Sequence, residues 1–263
     1  MQTATPGEGG IAAIEVRNLS KVYASQDGPV QALSDLSFAI ADQEFVTIVG
    51  HSGCGKTTLL KIVAGLLSAS SGSVTVRGRV VSAPLKDVGM VFQRPVLLKW
   101  RTILDNVMLP IEMLHLPRSE GAERALDLLK LAGLSNFRHH YPAQLSGGMQ
   151  QRAAICRALV HDPSLLLMDE PFGALDLMTR EDMNLELLKI WSQRRKTTLL
   201  VTHSISEAVF LADRVIVMTP RPGMVADVVS VTLPRPRQPE TKLDPRFQEL
   251  VQIIGRKIGL LYI

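Results

Sequence analysis

The chain has little of several things that would each have pointed to a class of protein. It contains only two cysteines, Cys54 and Cys156. Their spacing fits neither a disulfide framework nor a metal-ligand set, which suits a reducing cytosol and assigns neither a redox role. No apolar run approaches the ~18 to 20 residues that a membrane-spanning helix needs, so action at a membrane would require another chain to span it. Residues 1–10 have neither the charged start nor the apolar core of a signal peptide and are expected to form a flexible tail. Charge asymmetry is lacking too: 29 basic residues stand against 25 acidic ones, a net charge of +4. The basic positions are scattered, so they read as solvated surface and no nucleic-acid partner is expected. There is no internal repeat. With 263 residues and 46% apolar content the chain can bury a substantial core, as one large domain or a domain with a subdomain.

What is there is organised around residues 50–58. Gly50, His51, Ser52, Gly53, Cys54, Gly55, Lys56, Thr57 and Thr58 fit the phosphate-binding pattern G-x-x-x-x-G-K-[ST]. Before it, residues 44–49 are a short β-branched run of the kind that forms a buried parallel strand; after it, residues 58–64 have helical character. Gly53 and Gly55 lack a Cβ, so the backbone N–H groups can curl around a phosphate at the positive end of the helix dipole. Lys56 supplies a point charge to the outer phosphates, and the Thr57 hydroxyl is placed for Mg²⁺. Nucleotide binding follows. The fate of the nucleotide does not, because kinases, motors, switches and transporter ATPases share this loop.

Around the loop the pattern predicts strands over residues 11–22, 36–40, 71–76 and 87–92, with Pro95 taking the chain out of the sheet. Tyr23 reads either as a core or edge aromatic or as a ring on which a base stacks. Between Thr102 and His161 the pattern changes to helical periodicity, with Ile103, Val107 and Ile111 on one face and Ala125, Leu128, Leu129 and Ala132 in a second helix, which makes a helical insertion over about residues 94–161. Inside it Ser146 is a good N-cap for a helix over 149–160, and Gly147 and Gly148 let a backbone come close to that helix end. Ser-Gly-Gly is also common in ordinary turns.

Residues 165–169 are an apolar strand ending in Asp169 and Glu170. Paired carboxylates at a buried strand end need a partner such as a metal or water to offset their desolvation. Asp169 is therefore expected to hold Mg²⁺ and Glu170 to activate water. A polar helix over 177–195 and a strand over 197–201 follow. His203 then sits at the carboxyl end of a parallel strand, where open α/β sheets bind ligands, although a lone histidine there is usually structural. Ser204 and Glu207 read as a capping box. Two closing strands, over 214–218 and 224–231, precede a linker from Pro234 to Pro239. The last segment is an amphipathic helix with Phe247, Leu250, Val251, Ile254 and Ile258 on one face. Whether it docks on its own domain or on a partner is open.

Taken together, the 50–58 loop, Gln93 after a strand, Leu145-Ser-Gly-Gly-Met-Gln150, the Asp169-Glu170 pair, Ala174-Leu-Asp176 and His203 resemble the ATP-binding cassette family in order and context. The resemblance covers residues 12–230. It implies an α/β fold: a P-loop NTPase (RecA-like) core with an antiparallel β subdomain and an inserted α-helical subdomain. The domains would be a nucleotide-binding domain over 11–233 and a linker with the C-terminal helix over 234–263. It further implies an ATPase that uses ATP and Mg²⁺ and works as a head-to-tail dimer with ATP between the P-loop of one copy and Ser146, Gly147 and Gly148 of the other. By the same resemblance Tyr23 is the adenine-stacking ring, Gln93 a Mg²⁺ and water ligand, and Glu170 the base. Asp176 is a contact across the dimer, and His203 the γ-phosphate sensor. Gln43 departs from the family, which usually has Gly before Glu, so the usual tight turn there is in question.

Residues 95–102, 171–176 and 207–213 resemble, more narrowly, the cassettes of bacterial importers of the nitrate, sulfonate and taurine group. That implies transmembrane permease subunits, an extracytoplasmic solute-binding protein and a peripheral place on the cytoplasmic face of the inner membrane. The competing expectations are a soluble cassette ATPase, such as one serving iron–sulfur assembly, and a small-molecule kinase, against which the Ser-Gly-Gly signature argues.

Overall fold

The computed structural model describes residues 12–26, 28–173, 175–193 and 195–259. The expected tail over residues 1–10, Ile11 of the expected first strand and Ala174 of the Ala174-Leu-Asp176 run lie outside them. The elements run β1 (Ile14–Tyr23), β2 (Val30–Ile40), β3 (Phe45–Val49), α1 (Lys56–Val63), β4 (Ser71–Val76), β5 (Arg79–Val80), β6 (Val88–Val91), α2 (Ile103–Met113) and α3 (Arg118–Leu131). Then come α4 (Gly147–Leu159), β7 (Leu165–Asp169), α5 (Leu177–Gln193), β8 (Thr197–Thr202), α6 (Ile205–Leu211), β9 (Arg214–Met218), β10 (Val225–Ser230) and α7 (Pro245–Ile258). The chain divides into two compact units, one holding the residues up to Leu85 and from Thr197 onward, the other Lys86–Lys196.

The first unit contains an antiparallel sheet in the order β2-β1-β4-β5 and the run β10-β9-β3-β8. All five residues of β3 and all six of β8 are buried, as expected of parallel strands covered on both faces. Their register pairs Phe45 with Thr198 and Val49 with Thr202, and β9 pairs Val49 with Val217. The loop after β3 and the residue after β8 therefore emerge at the same carboxyl end. Leu59, Leu60 and Val63 give α1 its buried face, which packs on β8 and β4.

Arg237 fastens α6 from outside. Its guanidinium donates to the carbonyls of Val209, Phe210 and Ala212 at 3.1, 2.9 and 2.7 Å, which satisfies the C-terminal acceptors that a short helix leaves open. Burial of that cation, aided by repulsion from Arg235, brings its pKa down to about 10. The C-terminal helix α7 lies on its own unit, against α6, β9 and β10.

The turn at Gln43 exists without glycine. Gln43 adopts φ 58, a conformation that costs an L-residue roughly 1–2 kcal/mol, and its N–H donates to Thr197 Oγ1 at 3.0 Å. Next to it Glu44 forms an ion pair with Arg214, so the turn is held by its neighbours.

In the second unit β6 runs parallel to β7, pairing Val91 with Met168. Gln93 and the Asp169-Glu170 pair thus leave the two strands at one end. Ile103, Val107 and Ile111 of α2, Ala125, Leu128 and Leu129 of α3, and Ala154, Ile155 and Cys156 of α4 are buried, and α2 packs on both α3 and α4. Asn106, fully buried, organises the approach to α2: it accepts from Leu98 N–H at 2.7 Å and donates to the carbonyls of Leu98, Arg101 and Thr102.

Candidate functional site

In the first unit α1 begins at Lys56 with Gly55 as its N-cap, at φ 102, so the cap position carries no side chain that could itself accept from the helix end. No acid occupies its first turn. Such a helix end offers several donors and the positive end of a dipole to an anion. A Cβ at Gly55 would stand 2.5 Å from Leu33 Cδ2 and 2.9 Å from the Ala32 carbonyl. Glycine is required here by both conformation and space. Lys56 is 5% exposed, and its ammonium donates to the Gly50 and His51 carbonyls at 2.8 and 3.0 Å. The loop thereby folds over its own lysine. Ser52, Gly53 and Thr57 face solvent, and Cys54 is buried.

Tyr23, 38% exposed, sits with its hydroxyl 3.2 Å from Thr58 Oγ1, and the Lys21 ammonium lies 5.3 Å from its ring centroid. It is neither a core aromatic nor remote from the loop. His203 is exposed at the end of β8, one residue after the partner of Val49. Ser204 caps α6 by accepting from Glu207 N–H at 3.3 Å, which fixes where the histidine leaves the sheet.

In the second unit Glu170 takes φ 44. A non-glycine residue in the left-handed region stores strain, and such strain clusters at functional sites. A methyl group on Gly173 would stand 3.5 Å from both Gln93 Nε2 and Glu170 Oε2, so the amide and the carboxylate border the same point. Gln93 is tied indirectly to α4, whose Gln151 donates to the Phe92 carbonyl at 3.2 Å.

The signature residues occupy the start of α4. The Ser146 hydroxyl accepts from Met149 N–H at 3.3 Å, and no acid lies in the first turn. The helix begins at Gly147, two residues before the sequence pattern had placed it. A Cβ on Gly148 would meet Thr179 Cγ2 at 2.8 Å, so this glycine is needed for the approach of α5. A cavity of about 410 Å³ borders Ser146, Gly148 and Thr179, with Arg152, Asp182 and Glu186 on its walls. Asp176 accepts from the Thr179 N–H at 3.0 Å and from its hydroxyl at 2.7 Å. These bonds hold its carboxyl below the usual carboxylate range, and they give it a capping role on α5.

By chemistry alone, the oxygen donors suited to a hard cation such as Mg²⁺ are the Thr57 hydroxyl in the first unit and the Gln93 amide oxygen and Asp169 carboxylate in the second. Among the described residues no group of three or more His, Cys, Asp or Glu could hold a metal alone. Cys156 offers no alternative chemistry, because burial pushes its thiol up to about 12. No helix among the described residues is long and apolar enough to cross a membrane.

Sequence reasoning missed Gly223. A Cβ there would stand 2.1 Å from the Cys54 carbonyl oxygen, so the loop between β9 and β10 lies directly against the phosphate loop. In the sequence, residues 220–223 show only a Pro- and Gly-containing separator between the two closing strands.

Residues 33–173 match the family described as ABC transporter. Among curated proteins the chain is similar to the taurine import ATP-binding protein TauB of Rhizobium johnstonii, 46% identical over 90% of this chain and 93% of that one. It is also similar to the bicarbonate transport ATP-binding protein CmpD of Synechocystis sp., 41% identical over 95% and 90%. Among solved structures it is similar to the dimeric cassette MJ0796, with TM-score 0.73 and 35% identity over 83% of this chain and 98% of that one. The same cassette is known in a post-hydrolysis state bound to ADP and Pi. Matches of this identity and extent carry fold and activity together: the chain belongs to the ABC transporter family, as an ATP-binding and ATP-hydrolysing cassette.

Proposed function

We propose that this cassette energises a membrane importer for a small solute of the nitrate, sulfonate or taurine kind, acting at the cytoplasmic face of the inner membrane. TauB and CmpD, named for taurine and bicarbonate, support the solute class. In this reading two copies associate head to tail, permease subunits span the membrane, and an extracytoplasmic protein delivers the solute.

The roles follow from the groups themselves. The N–H groups of residues 50–58 and the Lys56 ammonium hold the β- and γ-phosphates, and Tyr23 stacks on the base. Thr57, Gln93 and Asp169 supply oxygen ligands to Mg²⁺, which when bound neutralises charge on the phosphate oxygens. Glu170 takes the proton of the attacking water. His203 contacts the γ-phosphate, while Ser146, Gly147, Gly148 and Asp176 serve the nucleotide held by the other copy. The observation that carries hydrolysis is the strained Glu170 backbone with its carboxylate and the Gln93 amide bordering one point. A base must be held in place to act on water.

Coupling to the permease is assigned to residues 96–101. Trp100 is 74% exposed and Val96 60%. The loop beneath is rigid, because Asn106 bonds Leu98 and Arg101 while Arg157 donates to the Pro95 and Val96 carbonyls at 2.8 Å each. A large aromatic held out on a rigid loop suits an interface anchor. Trp100→Ala should keep melting temperature and nucleotide affinity yet impair assembly with the spanning subunit and uptake in cells. Lost stability with transport intact per folded molecule would contradict the docking role. Affinity capture from membranes that returned only soluble iron–sulfur assembly proteins would overturn the importer reading.

A further inference from the structure

The apolar face of α7 needs only packing to stay in place: Phe247, Ile254 and Ile258 are buried, with Leu250 and Val251 half-buried. Its last turn nevertheless makes a specific contact. The Ile258 carbonyl lies 2.9 Å from Nε2 of His51, 207 positions away in the chain. A carbonyl only accepts, so Nε2 carries the hydrogen and donates. That carbonyl belongs to the final turn of the helix, where acceptors lack intrahelical partners and the dipole is negative. Two further features hold the turn in place. Lys257 pairs with Asp227 of β10, and Gly259 closes the helix at φ 80.

His51 also belongs to the phosphate loop, and its own backbone carbonyl accepts from Lys56 at 3.0 Å. One residue therefore holds a distant helix with its ring and the phosphate lysine with its backbone. The loop motif places no restriction on side chains at this position, so the ring is available for a purpose outside the phosphates.

We propose that His51 is a positioning residue whose imidazole latches the phosphate loop to the C-terminal end of α7, so that nucleotide affinity depends on that helix. The inference rests on the assignment of residues 50–58 to the nucleotide phosphates. The latch restricts the loop to the arrangement in which Gly50 and His51 carbonyls flank Lys56. Releasing it lets the loop sample others, and binding then bears the ordering cost.

The test uses the full chain, a fluorescent ATP analogue with Mg²⁺ as probe, melting temperature, and hydrogen exchange of the last turn of α7. His51→Ala should raise Kd about three- to tenfold, the scale of one net hydrogen bond, and speed exchange in α7. His51→Gln keeps an N–H donor at similar reach and should recover most of the affinity. Lys257→Ala, remote from the phosphates, should weaken binding in the same direction by less, and add less than its full effect in the His51→Ala background. A fall in melting temperature with Kd unchanged per folded molecule would overturn the latch, as would Gln binding as weakly as Ala, or full additivity. Lys56→Ala separates the two levels. If it binds the analogue like wild type, the phosphate assignment itself fails; if it does not while His51→Ala does, only the latch fails.

Discussion

Replacing Gly223 by alanine should disable the phosphate loop from outside the motif. The added Cβ would stand 2.1 Å from the Cys54 carbonyl oxygen and 2.6 Å from the Met218 terminal methyl. The methionine tip can swing away, but the carbonyl can move only with the loop. Ordinary carbon–oxygen contacts lie near 3.3 Å or beyond, so something must shift by about 1 Å. Gly223 is itself pinned, donating to the Ala32 carbonyl at 3.0 Å and accepting from Ser34 N–H at 3.0 Å. Much of the displacement therefore falls on residues 53–55. Overpacking of this kind costs about 1–3 kcal/mol of stability, and a ~1 Å misplacement at a reacting centre can cost on the order of a hundredfold in rate. The assay is steady-state ATP hydrolysis beside thermal melting, with Gly78→Ala as control. Gly78 also has a positive φ, 75°, but open space around it, so its substitution should lower stability alone. A folded Gly223→Ala protein with wild-type turnover would refute the idea that the β9–β10 loop braces the phosphate loop.

Tyr23→Ala should weaken nucleotide binding by roughly 1–3 kcal/mol, the range for one base on one aromatic, whereas Tyr23→Phe should stay near wild type in a titration; equal affinity for all three would make the ring a surface residue only. Gln43→Gly should raise the melting temperature, since the φ 58 strain outweighs the extra chain entropy of glycine by up to about 1 kcal/mol, and a lowered melting temperature would show that Gln43 makes compensating contacts.

Much of this was legible because it is local. The spacing of Gly50, Gly55, Lys56 and Thr57 fixes a loop, and the apolar runs before Gly50 and Asp169 fix the strands that present it. Where a strand faces water the pattern weakens: residues 36–40 read as a strand, yet β2 begins at Val30. Ser34 and Asp35 look like a break, but Asp35 at φ 48 sits where the pairing with β1 shifts register, so the polar pair belongs to an irregularity within the strand. The start of α4 was missed for a related reason, since two glycines are poor helix formers although they are tolerated in a first turn. Gly223 against Cys54, and His51 against Ile258, carry no local signature at all. They are contacts between distant segments, and only the fold brings them together. The left-handed backbone of Glu170 was equally hidden, because an acid after a strand shows its chemistry in the sequence but not its strain.

The central claim, that Glu170 activates water in an ATPase that works as a pair of copies, is tested most directly by Glu170→Gln. The amide keeps the shape of the side chain and removes its basicity. With MgATP the variant should bind nucleotide as wild type does, lose most of its turnover and accumulate as an ATP-bound dimer on size exclusion. Near-normal hydrolysis by Glu170→Gln, with no shift toward the dimer, would contradict the account.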